Sequence, residues 1–187
     1  MLTTLAVLFL GVLAPPARVP AQGQVQASAS VAWTEFAPPN GRFTVRLPGK
    51  PREKVSTNQT AAGEAKMAQY DFDAGDAYFA VVISEFPSGA TGKALPQHVL
   101  DGARDGALAN IRGRAIEDFG VFLPAAPGSK GAFPGRQIVA EVPPDLLLRM
   151  RLFLVNDTLI QLMVIQKKAV ASPETFLKMA DSFKLSR

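Results

Sequence analysis

From Trp33 onward, apolar and polar positions alternate with a period of two, broken at intervals by Pro, Gly and Asn. Such a pattern describes half-buried strands joined by turns. In residues 42–47, Phe43, Val45 and Leu47 fall on one side, and Arg42, Thr44 and Arg46 on the other. Pro38-Pro39-Asn40-Gly41 before this strand and Pro48-Gly49-Lys50-Pro51 after it predict turns, because Pro fixes its own φ and Gly admits a positive one. Residues 53–60 and 64–73 read as a hairpin across Ala61-Ala62-Gly63. The stretch 76–86 is the most apolar of the early strands. Ala77, Phe79, Val81 and Ile83 line one side and Tyr78, Ala80, Val82 and Phe86 the other, so this strand is expected to be covered on both faces.

The period then changes. After a Gly/Ser/Pro loop over 87–93, Val99, Leu100, Ala103, Ala107, Leu108 and Ile111 recur at helical spacing, which predicts a helix over 95–111 with Pro96 in its first turn. Gly102 and Gly106 weaken that helix by about 1 kcal/mol each relative to Ala, so it depends on packing against a sheet. Alternation resumes over 114–123, 135–142, 146–155 and 159–168, with Pro143-Pro144-Asp145 and Asn156-Asp157 as the last two turns. Ser172, Pro173 and Glu174 announce a final helix as N-cap, first helical residue and dipole-facing acid, and Phe176, Ala180 and Phe183 are its docking face. Strands, helix, strands, helix is not the strict alternation of a doubly wound sheet. The expectation is α+β, a single domain with a largely antiparallel β-sheet flanked by two helices.

The chain ahead of this domain reads differently. Residues 5–14 are almost continuously apolar, followed by Pro15, Pro16 and a small-residue stretch around Val19-Pro20-Ala21-Gln22. A span needs about 20 apolar residues, so the run fits a secretory signal peptide cleaved near Ala21 rather than a membrane helix. The organisation expected is a signal peptide over 1–21, a flexible Gln/Ala/Ser leader over 22–32 and one domain over 33–187. This places the protein outside the cytoplasm, periplasmic or secreted, with no stable membrane insertion after cleavage.

Composition then removes function classes. The 187 residues contain no Cys and one His, which excludes disulfides, thiol nucleophiles, Cys-ligated metals and multi-His metal sites. The net charge is +4, and cleavage after Ala21 would remove Arg18 and no acid, leaving +3. The basic residues are scattered, and no glycine-rich phosphate cradle or aromatic platform accompanies them, so no nucleic-acid partner and no cofactor is expected.

Three groups of residues carry possible chemistry. His98 lies three residues before Asp101 and seven before Asp105, a spacing that can orient an imidazole as a general base, but no serine stands in a G-x-S-x-G context to serve it. It reads as a solvent-facing or capping histidine. Asp71, Asp73 and Asp76 surround Gly75, yet Gly75 occupies a position where a calcium loop needs a ligand, so a hairpin turn is the reading. Arg149 and Arg151 project from one face of a strand, with Arg136 on the neighbouring strand. Such an arginine row either binds an anion or acidic partner or forms the ion-paired face of a sheet, and it is the candidate binding surface.

The run from Phe36 to Pro51, FAPPNGRFTVRLPGKP, resembles the opening of a family of small exported bacterial domains of unknown function. Further similar stretches are Phe133-Pro134-Gly135-Arg136, Arg151-Leu152-Phe153-Leu154-Val155, and Phe176-Leu177 with Asp181-Ser182-Phe183-Lys184-Leu185. The resemblance implies a PsbP-like fold, that of the extrinsic photosystem II subunits, and supplies no catalytic residue. The functional expectation is an exported non-enzymatic accessory module that binds a protein or small-molecule partner. A periplasmic small-molecule or lipid carrier and a carboxylate-based hydrolase are the alternatives.

Overall fold

The computed structural model of the protein describes residues 32–186, apart from 40, 61–62 and 93. The expected signal peptide and all but the last residue of the leader lie outside the described residues.

Among the described residues, ten strands and two α-helices follow one another. They are β1 (Thr34–Phe36), β2 (Phe43–Leu47), β3 (Arg52–Thr60), β4 (Gly63–Asp73), β5 (Ala77–Glu85), α1 (Pro96–Asn110), β6 (Arg114–Pro124), β7 (Ala132–Val142), β8 (Leu146–Val155), β9 (Thr158–Lys167), α2 (Pro173–Ala180) and β10 (Lys184–Leu185). Seven strands form one sheet in the order β3-β4-β5-β9-β8-β7-β6, and β1-β2-β10 form a small second sheet. Every pairing is antiparallel. This is the α+β architecture that the element order predicts.

Turn chemistry sets the registers. Gly41 sits at φ +62 and its N–H donates to the Pro38 carbonyl at 2.8 Å, closing the turn into β2. Asn156 at φ 52 starts the two-residue turn that pairs Val155 with Thr158. In the β3–β4 hairpin Thr60 pairs directly with Gly63, so Gly63 belongs to the strand and not to the turn as the composition suggests. Gly135 permits a close approach between strands, since a Cβ there would collide with the Leu152 carbonyl oxygen and the Phe153 ring.

The large sheet is covered on both faces. On one, α1 lays Val99, Leu100, Ala103 and Leu108 over Ile138, Ala140, Leu148, Met150 and Leu152. On the other, Phe176, Met179 and Ala180 of α2, with Phe183 beyond it, pack with Phe43, Val45 and Leu47 of β2 on Phe79, Val81, Leu162 and Val164. Strand β5 runs between these layers and is buried along almost its whole length, as its two apolar faces predict. A ring cluster closes the second core, with Phe43 stacked on Phe183 at 5.1 Å and edge-to-face with Tyr70 at 5.9 Å. The Arg46 N–H donates to the Ser182 hydroxyl at 2.8 Å and that hydroxyl donates to the Met179 carbonyl at 2.6 Å, tying β2 to the end of α2.

Strands β1 and β10 are absent from the sequence expectation, because three and two residues are too few to show an alternation. Strand β6 has the expected extent but lies at the sheet edge, with Ile116, Phe119 and Phe122 exposed.

Candidate functional site

The three arginines singled out by the sequence do not form one row. The short turn that pairs Val142 with Leu146 sets Arg136 opposite Leu152, Gln137 opposite Arg151 and Val139 opposite Arg149. Directly opposed residues share a face, so Arg149 and Arg151 point to the α2 side and Arg136 to the α1 side.

Arg136 is consumed in a network beneath α1. Its guanidinium meets Asp101 of the helix at 2.5 Å and Asp118 of β6 at 2.7 Å. Arg104 of the helix reaches the other Asp118 oxygen at 2.6 Å and Asp105 at 2.8 Å. Burial pushes the Asp118 carboxyl up, but hydrogen bonds from Arg136 and Arg104 outweigh it and hold that carboxyl below its ordinary value. The network pins α1 to β6 and β7 and uses the carboxylates that would have served His98. His98 itself is exposed, and Asp101 and Asp105 face arginines. The sequence pattern thus gives no general base here.

Arg151 is paired as well. Its Nε donates to Gln137 at 2.7 Å, its terminal nitrogen meets Asp181 at 2.5 Å, and its guanidinium lies 5.6 Å from the centre of the Phe176 ring. Arg149 differs. It is half-buried between Val139 and Val164, and no acidic group stands within ion-pair distance among the described residues. Burial lowers its pKa, opposed only by the more distant charge of Glu117. Glu117 and Phe119 of β6 continue this uncovered margin of the sheet, and Phe119 is 46% exposed.

The acidic group around Gly75 is a turn. The Gly75 N–H donates to the Asp73 carboxylate at 2.8 Å, Gly75 lies at φ +81, and the Ala74 N–H donates to the Ala77 carbonyl at 2.9 Å. Among the described residues no three His, Asp or Glu side chains converge as a metal site.

Two cavities, which the sequence does not signal, lie side by side between β2 and the large sheet. The larger, of about 310 Å³, is walled by Phe43, Ile83, Phe133, Val155, Ile160 and Leu185. The smaller, of about 230 Å³, is lined by Glu53, Lys66, Met67, Tyr70 and Glu85. Both are bordered by Arg42, Phe43 and Ile83, and Arg42 is ion-paired with Glu85 at the partition. Glu53 accepts from the Tyr70 hydroxyl at 3.1 Å. Burial, with that bond to Glu53 second, pushes the Tyr70 phenol up to about 12. Glu53 and Glu85 border one cavity, as a carboxylate hydrolase would require, but each already has a donor.

No helix among the described residues is long and apolar enough to cross a membrane. No family model and no curated protein matches the chain. Solved structures do match in fold. The solution structure of cyanobacterial PsbP (CyanoP) from Synechocystis sp. PCC 6803 aligns with a TM-score of 0.51 at 12% identity, covering 87% of this chain and 98% of that one. At that identity the likeness is one of architecture, and it gives this domain a PsbP-like fold.

Proposed function

We propose that this chain is an exported, non-enzymatic accessory domain that binds an acidic partner protein at the α2-side margin of its large sheet, with Arg149 at the centre. One observation carries the reading. Of the three arginines in the candidate surface, Arg136 and Arg151 hold ion pairs, while Arg149 is half-buried with none among the described residues. A partly desolvated guanidinium without a carboxylate is stabilised by gaining one, and a planar fork suits a partner's Asp or Glu. Exposed Phe119 in the adjoining row offers the apolar contact that surrounds such an anchor. Export rests on the signal-peptide pattern over 1–21, and the domain proper is taken to be 33–187.

The test is co-purification of the tagged full-length chain from the exporting cell, paired with Arg149→Glu. A recurring partner that is captured by the unaltered chain and lost with Arg149→Glu supports the reading. Retention of the same partner by Arg149→Glu overturns the assigned surface, and a chain found only in the cytoplasm overturns export. The apolar cavity beside Arg42 favours a second reading, in which the domain carries a small molecule.

A further inference from the structure

The larger cavity has a chemical bias. Its walls are apolar, its few polar groups are the hydroxyl-bearing Ser129, Thr158 and Ser186, and among the described residues Arg42 is the one charged side chain on its lining. At about 310 Å³ it sits at the small end of ligand pockets, with room for a single short chain rather than a two-tailed lipid. Arg42 stands at the partition, where its guanidinium pairs with Glu85, and Glu85 is in turn the cross-strand neighbour of Lys66. That Arg42–Glu85 pair is partly solvent-exposed, at 56% and 33% of the two side chains. An exposed pair contributes little and is readily exchanged.

We infer that this cavity binds a small amphipathic carboxylic acid. The alkyl chain lies among Phe133, Val155 and Ile160, and the carboxylate takes the Arg42 guanidinium in place of Glu85. An amine is disfavoured because, among the described residues, the lining carries no acidic side chain and the neighbouring carboxylate, that of Glu85, is already held by Arg42. A neutral molecule gains the apolar contact but leaves the Arg42–Glu85 pair as it is, so the acid is preferred by its bond to Arg42. Once the ligand is seated, Glu85 remains beside Lys66, which compensates its charge. The inference rests on the carrier reading and goes beyond it by fixing the pocket, the ligand class and the competing group.

The test is isothermal titration calorimetry of the full chain with decanoate, decanol and methyl decanoate. Decanoate is expected to bind about tenfold or more tightly than either neutral analogue, as one charge-assisted contact allows. Arg42→Gln should remove that preference while leaving decanol binding unchanged. Glu85→Gln, by deleting the internal competitor, should tighten decanoate several-fold. Both positions are partly exposed, so thermal melts will verify that the variants fold. Equal binding of decanol and decanoate, or weaker decanoate binding in Glu85→Gln, overturns the acid assignment and leaves the carrier reading standing. No binding of any of the three overturns both. Decanoate that shifts the NMR signals around Arg149 and not those of Phe133 and Ile160 overturns the pocket.

Discussion

The Asp157 carboxylate accepts from the Gly89 N–H at 2.8 Å, the Thr91 N–H at 3.0 Å and the Thr91 hydroxyl at 2.8 Å. One side chain in the β8–β9 turn thereby fastens the loop between β5 and α1. The Gly89 bond first, then those of Thr91, hold the Asp157 carboxyl below its ordinary value. A carboxyl whose folded pKa is depressed stabilises the fold above the unfolded pKa and ceases to as pH falls through the folded value. Asp157→Asn keeps the shape and removes the charge. Its melting temperature should fall below that of the unaltered chain near neutral pH, and the gap should close on acidification from about pH 7 to about pH 3. A gap of constant size across that range would mean that the charge on Asp157 is not what secures the loop.

At the scale of the element, α2 is the most self-declared part of the chain. Ser172 accepts from the Glu174 N–H at 3.2 Å, Pro173 is the first helical residue, and Glu174 occupies the first turn. Ser172→Ala should cost about 1 kcal/mol in urea denaturation, with Ser172→Asp restoring most of the loss. An alanine variant as stable as the original would show that docking alone holds the helix start. Caps are legible in a sequence because they act within four residues. The alternation of β8 and β9 is legible for the same reason, since it reports each strand's two faces directly. The face that holds Arg136 is not, because it depends on the parity of the β7–β8 register. Val142 opposite Leu146 sets even residues against even ones, and a turn one residue longer would bring Arg136 to the side of Arg149 and Arg151. The cavities are equally hidden, for they form where β2 and β10, with five and two residues, lean on strands far away in sequence.

Across the whole molecule, the two hydrophobic cores share one sheet. Strand β8 gives Phe153 to the α2 side and Leu148, Met150, Leu152 and Leu154 to the α1 side. Strand β9 gives Ile160, Leu162 and Val164 to the first and Leu159 to the second. Stripping either layer exposes apolar side chains on strands that the other layer needs intact, which favours all-or-none unfolding. The sequence supplies its own reporter in its single tryptophan. Trp33 meets the Phe79 ring edge-to-face at 5.6 Å, and the Lys178 ammonium of α2 stands 4.8 Å from its centre. Its fluorescence therefore follows the join between the segment leading into β1, α2 and the central strand β5. Far-UV circular dichroism follows the seven-stranded sheet as a whole. The two thermal transitions should have the same midpoint, because the small sheet and α2 cannot leave without uncovering Phe79, Val81 and Leu162. A fluorescence change that precedes the loss of sheet signal would show instead that the β1-β2-β10 layer and α2 open as a separate unit, and with them the wall of the cavity beside Arg42.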